Sequence, residues 1–317
     1  MKQKQIIWGF LFAIILAAFD LRMIGIENIA SGLPAIFSTL AVLGIFLLAG
    51  EIFQDYAAGL IGAYLFAFSY WAISFSRMES AKLLLPIILI FSFYFLFQGL
   101  RTRQIHSFII SGFIFGFGFF EHAMLSFFPF MFVTILLSLA ITSKKLLSDY
   151  RKHILVFIIA TTAIASSAFL GLFHINTENI ILSPKSSFYV QLFDPLIIIS
   201  FLAGLFYTIV KFLHISRHHF KKRDANPKNR AYIFLLAWFF SPILFRMFFG
   251  TDAFSGLDLT TILLPVIMII SIIPFLWIVK KYHSFGHAYR IFTVSILTAV
   301  FMFIAIYNII SCFVFLK

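Results

Sequence analysis

The sequence predicts an all-α, polytopic integral membrane protein, and two observations lead to that fold class. The chain of 317 residues is 62% hydrophobic and only 11% charged, with a mean hydropathy of +1.03. A soluble protein of this length could not bury so much apolar surface, so lipid must be its solvent. The apolar residues also fall in long runs, and only helices satisfy every backbone hydrogen bond within one such run.

Apolar runs bounded by charges predict about eleven membrane-spanning helices. A helix of roughly 20 residues crosses about 30 Å of hydrocarbon. The first run could be a signal peptide, but Ala17-Ala18-Phe19-Asp20 is a poor cleavage site, so we predict an uncleaved first helix. Residues 1–317 are expected to form one membrane domain without a separate soluble domain. The predicted spans are 6–24, 33–50, 57–75, 83–100, 105–120, 123–142, 154–172, 195–213, 231–249, 259–279 and 291–315.

Lys and Arg are distributed unequally between the two predicted faces of the membrane. With the N-terminus in the cytoplasm, 18 of the 24 Lys and Arg residues lie in cytoplasmic segments. The other 6 lie on the opposite face: Arg22, Arg77, Lys82, Lys185, Arg246 and Lys317. This bias follows the positive-inside rule and therefore predicts a cytoplasmic N-terminus. Eight of the twelve acidic residues fall on the opposite side. We therefore expect a protein of the plasma membrane with an extracytoplasmic active face.

Several function classes lack support in the sequence. The net charge of +12 is explained by basic cytoplasmic loops, and the 46 Phe residues follow the apolar runs, so no nucleic-acid partner is predicted. No Gly-rich phosphate loop, nucleophile elbow or H-E-x-x-H motif is present. The single cysteine gives no disulfide framework and no thiolate metal site. A divalent metal ion stays open as a cofactor, because Asp252 and Asp258 could hold one; acid/base groups and a solvated loop are the alternatives for these two residues.

A short charged segment, residues 76–82, joins two long apolar runs on the predicted outer face. It contains Arg77, Glu79 and Lys82. Because cations are scarce on that face, Arg77 and Lys82 predict a site for an anionic ligand. The Arg fork matches phosphate oxygens and Lys adds a compact charge, so a lipid phosphate is the natural ligand. Glu79 could hold Arg77 in place. The alternative is that Arg77 is an interfacial anchor.

Polar residues near other predicted outer ends are candidates for further roles. Glu121 and His122 interrupt an apolar stretch, where burying a charge in lipid costs about 2–3 kcal/mol. They are either a turn marker or a polar pair that faces an outer cavity. Asp20 and Glu27 follow the first apolar run, and Arg246 flanks a later outer loop. Ordinary termination of a span is the alternative for these residues.

Five segments in order resemble the multispanning glycosyltransferases of the C-type fold, in the branch of the protein O-mannosyltransferases and aminoarabinose transferases. Residues 25–37, with Leu33-Pro34, resemble the segment that opens an early span, and residues 51–60 resemble a short cytoplasmic turn. Residues 74–79, with Ser76-Arg77, resemble an outer loop. Residues 112–118 and 194–205 fit later segments more loosely. The resemblance covers about two thirds of the chain, and its motifs together are moderately specific.

The resemblance implies transfer of a sugar from a polyprenyl-phosphate donor, among membrane lipids, to a protein, glycan or lipid acceptor outside the cytoplasm. On this interpretation Arg77 and Lys82 bind the donor phosphate, and Glu79, His122 and Arg246 support the site. The catalytic base is Asp20, with Glu27 and Glu121 as the next candidates.

The sequence also departs from the pattern of the family that it resembles. It contains no Asp-Glu pair in the first outer loop, and Gly32 precedes Leu33-Pro34 where the family has Arg. Two alternatives therefore stay open: a non-catalytic or truncated relative of these enzymes, and a flippase or transporter of lipid-linked sugars. The transporter would be expected to carry ionisable residues at the centres of its spans, or broken helices in paired repeats.

Overall fold

The protein is an all-α membrane protein, described here by a computed structural model. The structure describes residues 2–24, 29–76, 84–120, 127–142, 148–169, 195–219, 227–249, 256–282 and 286–315, and no strand occurs among them. The helices are α1 (Lys2–Met23), α2 (Ile29–Phe53), α3 (Tyr56–Ala67), α4 (Tyr70–Phe75), α5 (Leu84–Thr102), α6 (Ile105–Phe117), α7 (Phe127–Thr142), α8 (Arg151–Phe169), α9 (Pro195–His219), α10 (Pro227–Phe249), α11 (Gly256–Tyr282) and α12 (His287–Phe315); a 3₁₀ turn (Gly118–Phe120) follows α6.

Seven helices of the described part are long and apolar enough to cross a membrane: α1, α2, α5, α9, α10, α11 and α12. Shorter apolar helices, among them α3, α6 and α7, accompany them. The prediction of an all-α polytopic protein is confirmed, and the count of eleven spans and the side of the N-terminus stay predictions.

Helices α2 and α11 form the centre of the bundle. Protein buries 67% of the apolar stretch of α2 and 78% of that of α11, but only 17% of that of α1 and 11% of that of α12. Apolar side chains on the outer helices are therefore left to contact lipid, which is as good a solvent for them as a protein core.

Glycine allows a close helix approach between α6 and α8. A Cβ atom on Gly112 would lie 2.5 Å from the carbonyl oxygen of Phe157, so a larger residue would push α8 away. At the same crossing the hydroxyl of Thr161 donates a hydrogen bond to the Gly112 carbonyl at 3.2 Å. The same approach explains Gly116, whose Cβ atom would lie 3.0 Å from the Thr161 carbonyl oxygen.

One end of the bundle, which we call the Glu51 end, is held by ion pairs. Glu51 near the end of α2 pairs with Arg101 of α5, and Lys280 of α11 lies 3.7 Å from Asp55. Asp55 also accepts the Ala57 N–H at 2.9 Å and so caps the start of α3. The last turns of α2, α5 and α11 and the first turn of α3 therefore share this end.

The opposite end, which we call the Arg22 end, is where α1 finishes. A single span was predicted over 57–75, but the structure divides it into α3 and α4 at Phe68 and Ser69. The break lies beside Arg22, whose guanidinium donates to the last carbonyl of α3. The last helix, α12, reaches the same end, since Cys312 Sγ lies 3.9 Å from the Tyr70 carbonyl oxygen.

Candidate functional site

Most of the predicted site residues lie outside the described residues. The structure describes Asp20 and Arg246 among them. The predicted residues that lie outside are Glu27, Arg77, Glu79, Lys82, Glu121 and His122. The site is therefore built from the described helix ends that lead into these segments.

Asp20 lies in the last turn of α1, with its side chain exposed. Its carbonyl accepts the Ile24 N–H at 3.2 Å, so α1 is still regular at this point. Two residues correspond to about 200° around a helix, so Asp20 and Arg22 face nearly opposite sides of α1. The Asp20 carboxylate thus points away from the packed side of the helix and is accessible from outside the bundle.

Arg22 is fully buried, although its position at the end of an apolar run suggested a residue of the outer face. Its Nε donates to the hydroxyl of Ser38 on α2 at 2.9 Å. Its Nη1 donates to the carbonyl of Ala18, one turn earlier, at 2.9 Å and to that of Ala67 at 3.1 Å. Its Nη2 lies 3.5 Å from the carbonyl oxygen of Phe66. One side chain therefore joins α1, α2 and α3.

The break between α3 and α4 is a polar structure within an apolar environment. A helix end leaves backbone carbonyls without partners, and in a membrane such groups must be satisfied by protein. Arg22 supplies donors for the end of α3, where a cation also suits the helix dipole. Ser69 then caps α4, because its hydroxyl accepts the Ala72 N–H at 3.1 Å and donates to Phe66 at 3.3 Å.

Helix α4 leads directly into the 76–82 segment. The residue before Arg77 is Ser76, which is fully buried. Its N–H donates to the Ala72 carbonyl at 3.2 Å, and its hydroxyl donates to the Ile73 carbonyl at 2.6 Å. The Ala72 carbonyl also accepts the hydroxyl of Ser38 at 3.1 Å. The chain is thus fixed up to the residue that precedes the predicted phosphate ligand.

Arg246 lies half-buried in the last turn of α10. The start of α10 is near the Glu51 end, since the rings of Phe234 and Phe97 lie 4.6 Å apart. The 23 residues of α10 span about 34 Å, which brings Arg246 to the Arg22 end. Next to Arg246, the ring of Phe245 packs on Phe127 at 5.5 Å. Arg246 thus lies near the start of α7, the helix that follows the segment with Glu121 and His122.

Sequence reasoning missed the network around Arg22. The available signal was the presence of Ser38 and Ser69 in otherwise apolar runs, close to the same predicted face as Arg22. Within the described residues, no group of three or more His, Cys, Asp or Glu side chains could hold a metal ion. Asp252 lies outside the described residues.

Comparison with known structures identifies the fold. The Archaeoglobus fulgidus oligosaccharyltransferase, tethered by a disulfide bond to an acceptor peptide containing the NVT sequon, aligns with a TM-score of 0.53 and 16% identity over 88% of this chain and 43% of that chain. The apo form of that enzyme aligns with a TM-score of 0.47 and 16% identity over 88% of this chain and 44% of that chain. The chain thus spans less than half the length of these structures.

Sequence comparison identifies the family. No curated protein matches the chain in sequence. Residues 6–169 match the family of dolichyl-phosphate-mannose-protein mannosyltransferases. This match covers more than half of the 317 residues and includes α1 to α8, with both helices of the divided third span. The resemblance seen in the sequence is confirmed, and the chain belongs to the dolichyl-phosphate-mannose-protein mannosyltransferase family within the glycosyltransferase superfamily.

Proposed function

We propose that the protein transfers a sugar from a polyprenyl-phosphate donor to a protein, glycan or lipid acceptor at the extracytoplasmic face of the plasma membrane. The observation that carries this proposal is the family match over residues 6–169. The matched part contains most of the predicted site, namely Asp20, Glu27, Arg77, Glu79, Lys82, Glu121 and His122.

The donor phosphate binds at the Arg22 end, beyond the last residue of α4. Arg77 follows buried Ser76 in the chain, so its backbone begins from a fixed point. Arg77 and Lys82 stabilise the negative charge that develops on the phosphate as the sugar leaves, and Glu79 orients Arg77. The polyprenyl chain lies in the lipid among the helices, with its phosphate at the headgroup level.

The transfer is a substitution at the anomeric carbon of the sugar. The acceptor hydroxyl forms the new C–O bond while the bond from the anomeric carbon to the phosphate oxygen breaks, through an oxocarbenium-like state. The bonding electrons leave with the phosphate, which yields polyprenyl phosphate. The acceptor proton passes to a carboxylate that acts as general base.

Asp20 is our first candidate for this base, because its carboxylate is exposed at the end of α1 and can meet an acceptor from outside the bundle. Glu27, four residues after α1, and Glu121 are the alternatives. His122 and Arg246 supply polar groups beside the acceptor. Three single variants, Asp20→Asn, Glu27→Gln and Glu121→Gln, identify the base as the one whose loss lowers kcat most.

A transfer assay with the full chain in lipid vesicles tests the proposal. A panel of polyprenyl-phosphate sugars is supplied with peptide, glycan and lipid acceptors, and both glycosylated product and polyprenyl phosphate are measured. We expect one donor to give the two products in equal amounts. Arg77→Ala should lower kcat by about 100-fold, the effect of losing one donor to a developing oxyanion.

Lys185→Ala is the matched control, since Lys185 is predicted on the same face but lies outside the matched residues 6–169. It should keep full activity. Full activity of Arg77→Ala would contradict the role of the 76–82 segment. Movement of an intact lipid-linked sugar across the vesicle without transfer would favour the transporter, and neither activity in a folded chain would favour the non-catalytic relative.

A further inference from the structure

Arg22 is a buried cation that the proposed reaction does not use. A buried charge is costly unless it is compensated, so its retention needs a reason. The side chain is fully buried and makes hydrogen bonds at 2.9 Å to Ser38 and at 3.1 Å to Ala67. The partners are neutral: one hydroxyl and the carbonyls of three residues.

The buried charge of Arg22 is compensated by contacts that suit a guanidinium. The ion pairs among the described residues involve Arg101 and Lys280, and no carboxylate of the described part pairs with Arg22. The charge is instead met by the carbonyl end of α3, the negative end of its dipole. A guanidinium presents five N–H donors in a flat fork, whereas a Lys ammonium is compact and cannot bridge the same acceptors.

A chain of hydrogen bonds connects Arg22 to the residue before Arg77. The Ser38 hydroxyl accepts from Arg22 at 2.9 Å and donates to the Ala72 carbonyl at 3.1 Å. The same carbonyl accepts the N–H of Ser76 at 3.2 Å. Ala72 and Ser76 lie at the two ends of the last turn of α4, so the network fixes the direction in which the chain leaves α4.

The network also begins beside the proposed base. Asp20 is two residues before Arg22 on α1, and Glu27 follows the same helix. The helix is held at this point because Arg22 donates both to Ala18 of α1 and to Ala67 of α3. Arg22 therefore links the helix that carries Asp20 to the helix that delivers Arg77.

We infer that Arg22 is a positioning residue: it holds α4, up to Ser76, at a fixed place relative to the end of α1, and so fixes the point from which the chain continues to Arg77. This inference rests on the proposed function for its catalytic consequence, but the placement itself is independent of activity. A small displacement of a catalytic group can lower a rate by about 100-fold.

The test separates placement from activity. Hydrogen–deuterium exchange, followed by mass spectrometry of peptides that cover residues 70–76, reports how firmly α4 is held, because the N–H groups of Ile73 and Ser76 in this stretch donate hydrogen bonds to backbone carbonyls. We expect slow exchange with Arg22 present. Arg22→Met, which keeps the length but not the donors, should speed the exchange, and Arg22→Lys should slow it again only in part. Arg101→Met, at the Glu51 end, is the matched control and should leave the exchange of this stretch unchanged.

The same variants are assayed for kcat and donor KM per folded molecule. Arg22→Met should lower kcat by about 100-fold with a smaller change in KM, because the leaving phosphate gains its charge only in the transition state. If Arg22→Met does not reach the membrane folded, Ser38→Ala is used, since it removes the link from Arg22 to Ala72 but keeps the bonds from Arg22 to the Ala18 and Ala67 carbonyls.

The outcomes distinguish this inference from the proposed function. Faster exchange of residues 70–76 in Arg22→Met, in a protein without transferase activity, would support the placement and reject the function. Unchanged exchange of these residues and an unchanged kcat per folded molecule, with only a lower melting temperature, would reduce Arg22 to a structural residue and overturn the inference.

Discussion

The two ends of the bundle hold their charges in different ways. At the Glu51 end, cations meet carboxylates: Arg101 pairs with Glu51, and Lys280 lies 3.7 Å from Asp55. Both cationic side chains are about half exposed, at 52% and 54%. At the Arg22 end, a fully buried guanidinium meets backbone carbonyls and a serine hydroxyl.

This difference shows which end of the bundle needs protein donors for an irregular backbone. Water can solvate the charges and loops of the Glu51 end, so its ion pairs contribute little to the stability of the folded protein. The broken span at the Arg22 end is buried in protein, so water does not reach its carbonyls and protein donors must replace it. A break that needs a buried cation is retained, in our interpretation, because it directs α4 toward the proposed reaction centre.

The largest expected effect on stability is that of Arg22→Met. The variant removes the donor to the carbonyl of buried Ala67, whereas the Phe66 carbonyl keeps the Ser69 hydroxyl as a donor. Each buried acceptor without a partner costs about 1–3 kcal/mol. Unfolding of the purified protein in detergent, followed by circular dichroism, measures the loss. A loss below that of Arg101→Met would remove the contrast between the two ends.

A smaller effect is expected for Ser69→Ala. Its hydroxyl accepts the Ala72 N–H at 3.1 Å and donates to the Phe66 carbonyl at 3.3 Å. Loss of an N-cap costs about 1 kcal/mol, and Arg22 still serves the end of α3. The same unfolding measurement applies, with Ser166→Ala as control, since that exposed hydroxyl bonds only within its own helix. Equal losses in the two variants would show that the cap does not stabilise the break.

The smallest effect is expected for Lys280→Met at the Glu51 end. The pair with Asp55 is partly exposed and its atoms are 3.7 Å apart, so it should contribute about 0–1 kcal/mol. Salt screens such a pair, so the difference in free energy of unfolding between Lys280→Met and the parent protein should shrink when NaCl is raised from 0.05 to 0.5 M. A salt-independent loss comparable to that of Arg22→Met would mean that this end is as constrained as the other.

The sequence predicted the helices better than their interruptions. The hydrocarbon thickness requires long apolar runs, so the runs 195–213 and 291–315 correspond to Pro195–His219 and His287–Phe315. The break at Phe68 and Ser69 was missed because both sides are apolar, and hydropathy does not respond to a break of two residues. Its cause is tertiary: the donors come from Arg22 and Ser38, which are far away in the sequence.

The sequence predicted the segments of the candidate site better than the contacts between them. The resemblance at residues 25–37 and 74–79 led to the right family, because these motifs are readable in order along the chain. The burial of Arg22 was not predictable in this way. A basic residue at the end of an apolar run has the same pattern whether it faces water or binds carbonyls of another helix. Arg77, Glu79 and Lys82 lie outside the described residues and stay predictions.

The most direct measurement compares kcat for sugar transfer, per folded molecule, between Arg77→Ala and Arg101→Ala in vesicles. Both variants remove one arginine, but only Arg77 belongs to the proposed reaction centre at the Arg22 end. We predict a loss of about 100-fold for Arg77→Ala and unchanged kcat for Arg101→Ala. Equal activity of the two variants, or a larger loss for Arg101→Ala, would contradict a phosphate site at the Arg22 end.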